Sequence, residues 1–235
     1  MSPSKTYVIT GANRGLGLEF VRQLSATDSN TIIAGVRSLK GDLIDLQALA
    51  SKSHTIHILE CDTASLDSIS AFGAAVTKTL GPDDQVDYLF NNAGINTAPT
   101  QTALKLDPND VQEHIAVNVL GPAKTVEALL SHLGQGSVVV NVSSSVGSCG
   151  KGTRWAAAYS ISKAALNMLT VHQAEELKGR GVKVISMDPG WVKTRMGGEW
   201  AVLQPKESIS GMLKVVHRLE TSGKFYRYDG SEVPW

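Results

Sequence analysis

The chain has 235 residues, 42% of them hydrophobic, and its 22 basic and 22 acidic side chains leave a formal net charge of +0. That suits one substantial core, and no basic excess or charged tail suggests a nucleic-acid or other electrostatic partner. No window has the apolar length of a membrane span, Met1-Ser2-Pro3-Ser4-Lys5 has no apolar run of signal-peptide length, and the isolated Cys61 and Cys149 make no secreted disulfide framework, so the expectation is a cytoplasmic protein with free thiols.

Thr6–Thr10, short and β-branched, reads as the first strand. It runs into Thr10-Gly11-Ala12-Asn13-Arg14-Gly15-Leu16-Gly17 and a helical pattern over Leu16–Ala26. Glycine there permits a tight turn and lets a diphosphate approach the backbone. The helix N-terminus behind it offers free N–H groups and a positive dipole end. Gly11, Asn13, Arg14, Gly15, Leu16 and Gly17 are therefore candidate dinucleotide contacts. The spacing differs from the common G-x-G-x-x-G fingerprint, and a plain glycine-rich turn is the competing reading.

The second strand, Thr31–Val36, ends in Ala34-Gly35-Val36-Arg37. A carboxylate here would bind the ribose 2′-hydroxyl of NAD. None is present, whereas Arg37 and Arg14 match a 2′-phosphate. The expected cofactor is NADP(H), against the alternative of two surface arginines. A helix is predicted over Gly41–Ser51 and a third strand over Thr55–Leu59. Asp62 beyond it either accepts a hydrogen bond from an adenine amino group or is a solvated loop residue. Next come a helix over Leu66–Leu80, a fourth strand over Val86–Phe90 and a long helix over Asn109–Leu133.

The fifth strand, Ser137–Val142, leads into Ser143-Ser144-Ser145-Val146-Gly147, either a substrate-facing hydroxyl loop or an ordinary polar one. A helix over Ala156–Lys178 carries Tyr159 and Lys163 at i and i+4, on one face. A cation beside a phenol lowers its pKa from ~10 and fits it to hand a proton to a carbonyl. After the sixth strand, Val182–Met187, the irregular stretch Asp188–Pro205 reads as a lid. A helix over Lys206–Glu220 and a short strand near Phe225 close the chain. The alternation predicts an α/β fold: one Rossmann-like, doubly wound parallel sheet of about seven strands, order 3-2-1-4-5-6-7, with helices on both faces.

Five ordered motifs carry a resemblance to the short-chain dehydrogenase/reductase family over nearly the whole chain. They are Thr10-Gly11-x-x-x-Gly15-x-Gly17, Asn91-Asn92-Ala93-Gly94, Asn118, Tyr159-x-x-x-Lys163 and Pro189-Gly190. The tail Tyr226-Arg227-Tyr228-Asp229-Gly230 to Pro234-Trp235 is similar to tails of small reductases related to bacterial C-factor and the insect reductase Sniffer; it would cap the pocket, cap a subunit interface, or close the core. The resemblance implies reduction of a small-molecule ketone, aldehyde or quinone with NADPH, or the reverse oxidation. In that scheme Tyr159 supplies the proton, Ser144 polarises the carbonyl, Lys163 tunes Tyr159 and holds the nicotinamide ribose, and Asn118 supports a proton-relay water. Asn91, Ala93, Gly94, Pro189, Gly190, Val192 and Thr194 join the cofactor contacts, with Thr194 at the carboxamide. Ser143 and Ser145 compete with Ser144. Arg154, Trp155 and Trp191 are candidate pocket walls, Trp155 being equally read as packing.

The six histidines form no metal-binding spacing. The resemblance also implies a homodimer or homotetramer. A dehydratase or isomerase on the same site, and a non-catalytic NADP(H)-binding signalling or scaffold protein, remain as alternatives.

Overall fold

The computed structural model describes residues 4–152 and 155–235. Its strands are β1 (Thr6–Thr10), β2 (Thr31–Val36), β3 (Ile56–Glu60), β4 (Tyr88–Asn91), β5 (Val138–Val142), β6 (Lys183–Asp188) and β7 (Phe225–Arg227). They form a single seven-stranded sheet, order β3-β2-β1-β4-β5-β6-β7, with every neighbouring pair parallel. The expected topology is met.

Strand side chains alternate between two cores, as a period of two requires. Ile9, Ile32, Phe90, Val140 and Met187 face one side, where Phe20 of α1 (Gly15–Leu24), Leu46 of α2 (Ile44–Ala50) and Met212 of α7 (Pro205–Val216) cover them. Val8, Ile33, Leu89, Val139 and Val184 face the other, under Phe72 of α3 (Leu66–Leu80), Val126 of α5 (Gly121–Ala128) and Ala174 of α6 (Ala157–Glu176). Both faces being dry explains why these strands read as continuous apolar runs. The order reverses between β1 and β4, which opens a crevice at their carboxyl ends.

The helix predicted over Asn109–Leu133 is not continuous. It divides into α4 (Pro108–Ile115), a π-helical turn (Ala116–Leu120), α5 and a 3₁₀ turn (Leu130–His132). Pro122 in the first turn of α5 lacks the N–H that would extend the helix backwards. Gly121 also lies so close to Thr63 that a Cβ would come within 2.9 Å of the Thr63 carbonyl oxygen. The Asp188–Pro205 stretch is a folded loop, drawn together by a parallel bridge between Val192 and Leu203. Among the described residues no helix is long and apolar enough to cross a membrane.

Candidate active site

The first wall is the glycine turn. Thr10 Oγ1 accepts the amides of Asn92 and Ala93, each at 3.1 Å, and Asn92 Nδ2 donates to the carbonyls of Thr10 (2.9 Å) and Gly11 (3.3 Å). These bonds join the ends of β1 and β4. Gly11 has φ +67°, and a Cβ on Gly17 would fall 2.1 Å from the Gly11 oxygen, so only hydrogen fits. Arg14 at the N-cap of α1 makes no side-chain cap, and the first turn carries no acid. The positive end of the helix therefore faces the crevice unneutralised. Leu16 is half-buried against the core. Asn13 Nδ2 donates to the Asp42 carbonyl at 3.2 Å.

Arg14 and Arg37 are exposed, and among the described residues neither makes a side-chain hydrogen bond or ion pair. Asp62 Oδ1 accepts the Ala64 amide at 3.0 Å, a local turn bond. Asn91 is buried, and its amide donates to Asn141 Oδ1 at 2.9 Å on the α6 face of the sheet. Its neighbour Asn92, absent from the sequence-derived contacts, is the side chain that shapes this wall. Only the Asn-Asn doublet hinted at it.

The floor is built on α6. Ser143 is buried, and its hydroxyl donates to Asn167 Oδ1 at 2.6 Å. Gly147 packs on α6 so tightly that a Cβ would lie 2.6 Å from the Lys163 carbonyl carbon. That contact sets Ser144 close enough to the Tyr159 phenol to draw its pKa down. Of the three adjacent serines, Ser144 is the one that acts on the phenol.

Lys163 is 4% exposed. Its Nζ donates to the Val142 carbonyl at 2.8 Å and lies 5.5 Å from the centroid of the Tyr159 ring. Gly94 passes overhead, its missing Cβ position 3.6 Å from Nζ. Asn118, on the π turn, is fully buried. Its Nδ2 donates to the Ile95 carbonyl (3.0 Å) and Ser162 Oγ (2.9 Å), and its Oδ1 accepts the Ile95 amide (2.9 Å). Both amide protons are thus committed to protein, and Asn118 ties the segment after β4 to α6.

The electrostatics correct one expectation. Burial pushes the Tyr159 phenol above its ordinary pKa, the Asp188 carboxylate adds to the rise, and the Ser144 hydrogen bond opposes it. The Lys163 ammonium lies over the ring and donates to the Val142 carbonyl. Burial lowers the Lys163 amine to about 8.

Pro189 accepts the Ser208 hydroxyl at 2.7 Å, and Gly190 (φ +79°) lies against the Tyr228 ring. Val192 is buried in its bridge to Leu203. Thr194 Cγ2 is 3.6 Å from where a Gly15 Cβ would sit, so this loop crosses to the glycine turn. Trp191, Trp200 and Trp155 are exposed on the rim, and Trp191 Nε1 donates to the Gly197 carbonyl at 2.8 Å. Arg154 lies outside the described residues. The tail segment Pro234-Trp235 docks beside the floor. Ser148 Oγ donates to the Pro234 carbonyl, the Gly150 amide donates to the Trp235 carbonyl at 2.9 Å, and Trp235 stacks on Phe225.

The sequence profile of the short chain dehydrogenases matches residues 5–202. The chain belongs to this family. Within it, the C-signal of Myxococcus xanthus is 40% identical over 155 residues, covering 64% of this chain and 93% of that protein. The NADPH-bound carbonyl reductase from chicken fatty liver superposes with a TM-score of 0.92 at 33% identity, covering 99% of this chain and all of that one (100%). The carbonyl reductase Sniffer of D. melanogaster gives 0.91 at 28% identity, with coverages of 99% and 100%. This chain is thus a short-chain dehydrogenase, and the expected kinship is met.

Proposed function

We propose that this dehydrogenase reduces a small-molecule carbonyl (a ketone, aldehyde or quinone) to an alcohol with NADPH, using Tyr159 as the proton donor. One observation carries the reading: at the carboxyl end of β5 the buried Lys163 amine, bonded to the Val142 carbonyl, lies 5.5 Å from the centroid of the Tyr159 ring, where Ser144 also draws on the phenol. The similar reductase that binds NADPH supports the cofactor.

The crevice fits a dinucleotide phosphate. The uncapped end of α1, with Gly11, Gly15 and Gly17, would hold the diphosphate. Arg14 and Arg37, lacking internal partners, would hold the 2′-phosphate. Asp62 and Ala93 would flank the adenosine, Gly94 and Lys163 the nicotinamide ribose, and Pro189 to Thr194 the carboxamide. Once bound, the nicotinamide supplies the hydride.

The protein's own part is proton chemistry. A raised phenol pKa keeps Tyr159 protonated at neutral pH, the form that donation requires. The carbonyl oxygen takes hydrogen bonds from Tyr159 and Ser144, which strengthen as negative charge develops on it. Lys163, with its pKa near 8, is mostly ammonium at neutral pH and steadies the ribose and the ring above it.

The decisive assay mixes the chain with NADPH or NADH and a panel of ketones, aldehydes and quinones. Steady oxidation of NADPH by at least one carbonyl, with NADH at least about tenfold poorer, is expected from two guanidinium contacts. NADPH binding without turnover would instead favour the non-catalytic signalling reading, to which the C-signal similarity lends its one observation.

A homodimer or homotetramer is also proposed. Ile161, Met168 and Val171 form an exposed apolar stripe on α6, with Leu120 on the π turn also exposed. The setting proposed is cytoplasmic, supported by two unpaired cysteines, Cys61 and Cys149.

A further inference from the structure

His114 is completely buried beside the candidate proton donor. Its ring meets that of Tyr159 edge to face, with centroids 6.4 Å apart and planes at 70°. Its Nε2 receives the Thr97 amide at 3.3 Å, and its Nδ1 faces the Asp110 carbonyl at 2.6 Å. An amide N–H can only donate and a carbonyl can only accept. One tautomer satisfies both: Nε2 bare, Nδ1 protonated.

The bond to Thr97 belongs to a set. Asp110, Glu113 and His114 lie at i, i+3 and i+4, one face of α4. Each holds the loop after β4: Gln101 Nε2 donates to Asp110 Oδ2, Thr97 Oγ1 to Glu113 Oε2 at 3.2 Å, and Thr97 N to His114 Nε2. The loop leaves the floor at Gly94, over Lys163, and its Gln101 carbonyl accepts the Ala157 amide at 3.1 Å, two residues before Tyr159. It therefore forms a side wall of the site, with one end over Lys163 and the other bonded two residues before Tyr159.

Resting on the carbonyl-reductase reading, we infer that His114 is a positioning residue: Nε2 fixes the substrate-side loop 95–101 while the ring edge fixes the Tyr159 phenol. One side chain sets the distance between the substrate wall and the proton donor. Glu113 and Asp110 hold the same loop but do not stack on Tyr159, so the two effects separate only at His114.

Two variants divide the roles. His114→Phe keeps a ring edge on Tyr159 and leaves the Thr97 amide without its acceptor. It should raise KM for the carbonyl about tenfold and speed amide exchange in the 95–101 peptide about tenfold, with kcat little changed. His114→Gln offers an amide oxygen near the Nε2 position but no ring. It should keep KM and exchange near native while lowering kcat about tenfold. Thr97→Pro, which deletes the donor N–H, should reproduce the KM rise if the Phe variant fails to fold. NADPH affinity should stay native in all three. The inference is overturned if folded variants match the native chain in KM, kcat and exchange, or if both His114 variants lose kcat and KM in the same proportion. Exchange needs no substrate. A native chain that turns over no carbonyl would remove the reductase reading, while the exchange arm would still decide whether His114 holds the loop.

Discussion

The floor of the crevice and its rim obey different rules. On the floor, Ser143, Asn118, Asn167 and Lys163 are buried and find their partners inside the protein. On the rim, Arg14, Arg37, Trp191 and Trp200 are exposed, and the two arginines have no ionic partner among the described residues. A buried polar group without a partner costs about 1–3 kcal/mol, so these floor side chains are anchored before any ligand arrives. A solvated guanidinium bears no such cost and can wait. The floor is therefore set by folding, whereas the rim arginines stay available to a ligand.

If that contrast holds, changes to the packed frame, floor and glycine turn alike, act on stability as well as function, and changes to the rim act on binding alone. Gly17→Ala is a severe backbone test, since its Cβ would sit 2.1 Å from the Gly11 oxygen. We expect a loss of about 1–3 kcal/mol, read as a fall of roughly 2–4 °C in melting temperature per kcal/mol, with NADPH binding lost as well. An unchanged melting temperature would show that the turn yields.

Arg37→Ala belongs to the rim. It should weaken NADPH about tenfold or more, leave NADH unchanged and leave the melting temperature native, as the loss of a charge-assisted contact predicts. Equal weakening of both cofactors, measured by titration, would break the assignment of the 2′-phosphate.

A further effect concerns Lys163 and pH. Its folded pKa is lowered to about 8 from the ordinary 10.5. Between these values the unfolded chain binds more protons than the folded one, so unfolding free energy rises with pH across that window. Below about pH 8 the amine is charged in both states, and the fold bears the cost of burying the charge. Denaturant titrations from pH 7 to 10 should show this rise in the native chain relative to Lys163→Met. Parallel curves for the two would contradict it.

Much of the floor was legible because its requirements are local. A glycine turn between a strand and a helix, and a tyrosine and lysine one helical turn apart, are written in short spacings. The π turn at Asn118 was not: the apolar period runs unbroken from Asn109 to Leu133, and the break depends on Gly121 meeting Thr63 across the fold. The raised Tyr159 pKa was misread for a related reason, because spacing brings Lys163 near the ring but does not reveal burial or the pull of Val142. Ser143 and Ser144 could be told apart only once Asn167 was seen to engage Ser143. His114 read only as one of several histidines scattered along helices. Its value appeared only when the loop folded back onto it. The tail shows the same limit, since nothing in Pro234-Trp235 foretold its hold on Ser148 and Gly150.

The account stands or falls on the phenol of Tyr159. Single-turnover reduction of a carbonyl by enzyme saturated with NADPH isolates that group, comparing the native chain with Tyr159→Phe. The account predicts that the variant folds and binds NADPH normally while its reduction rate falls by about 10²–10⁴, the range for a lost general acid. A variant that reduced the carbonyl at the native rate would show that the proton comes from elsewhere.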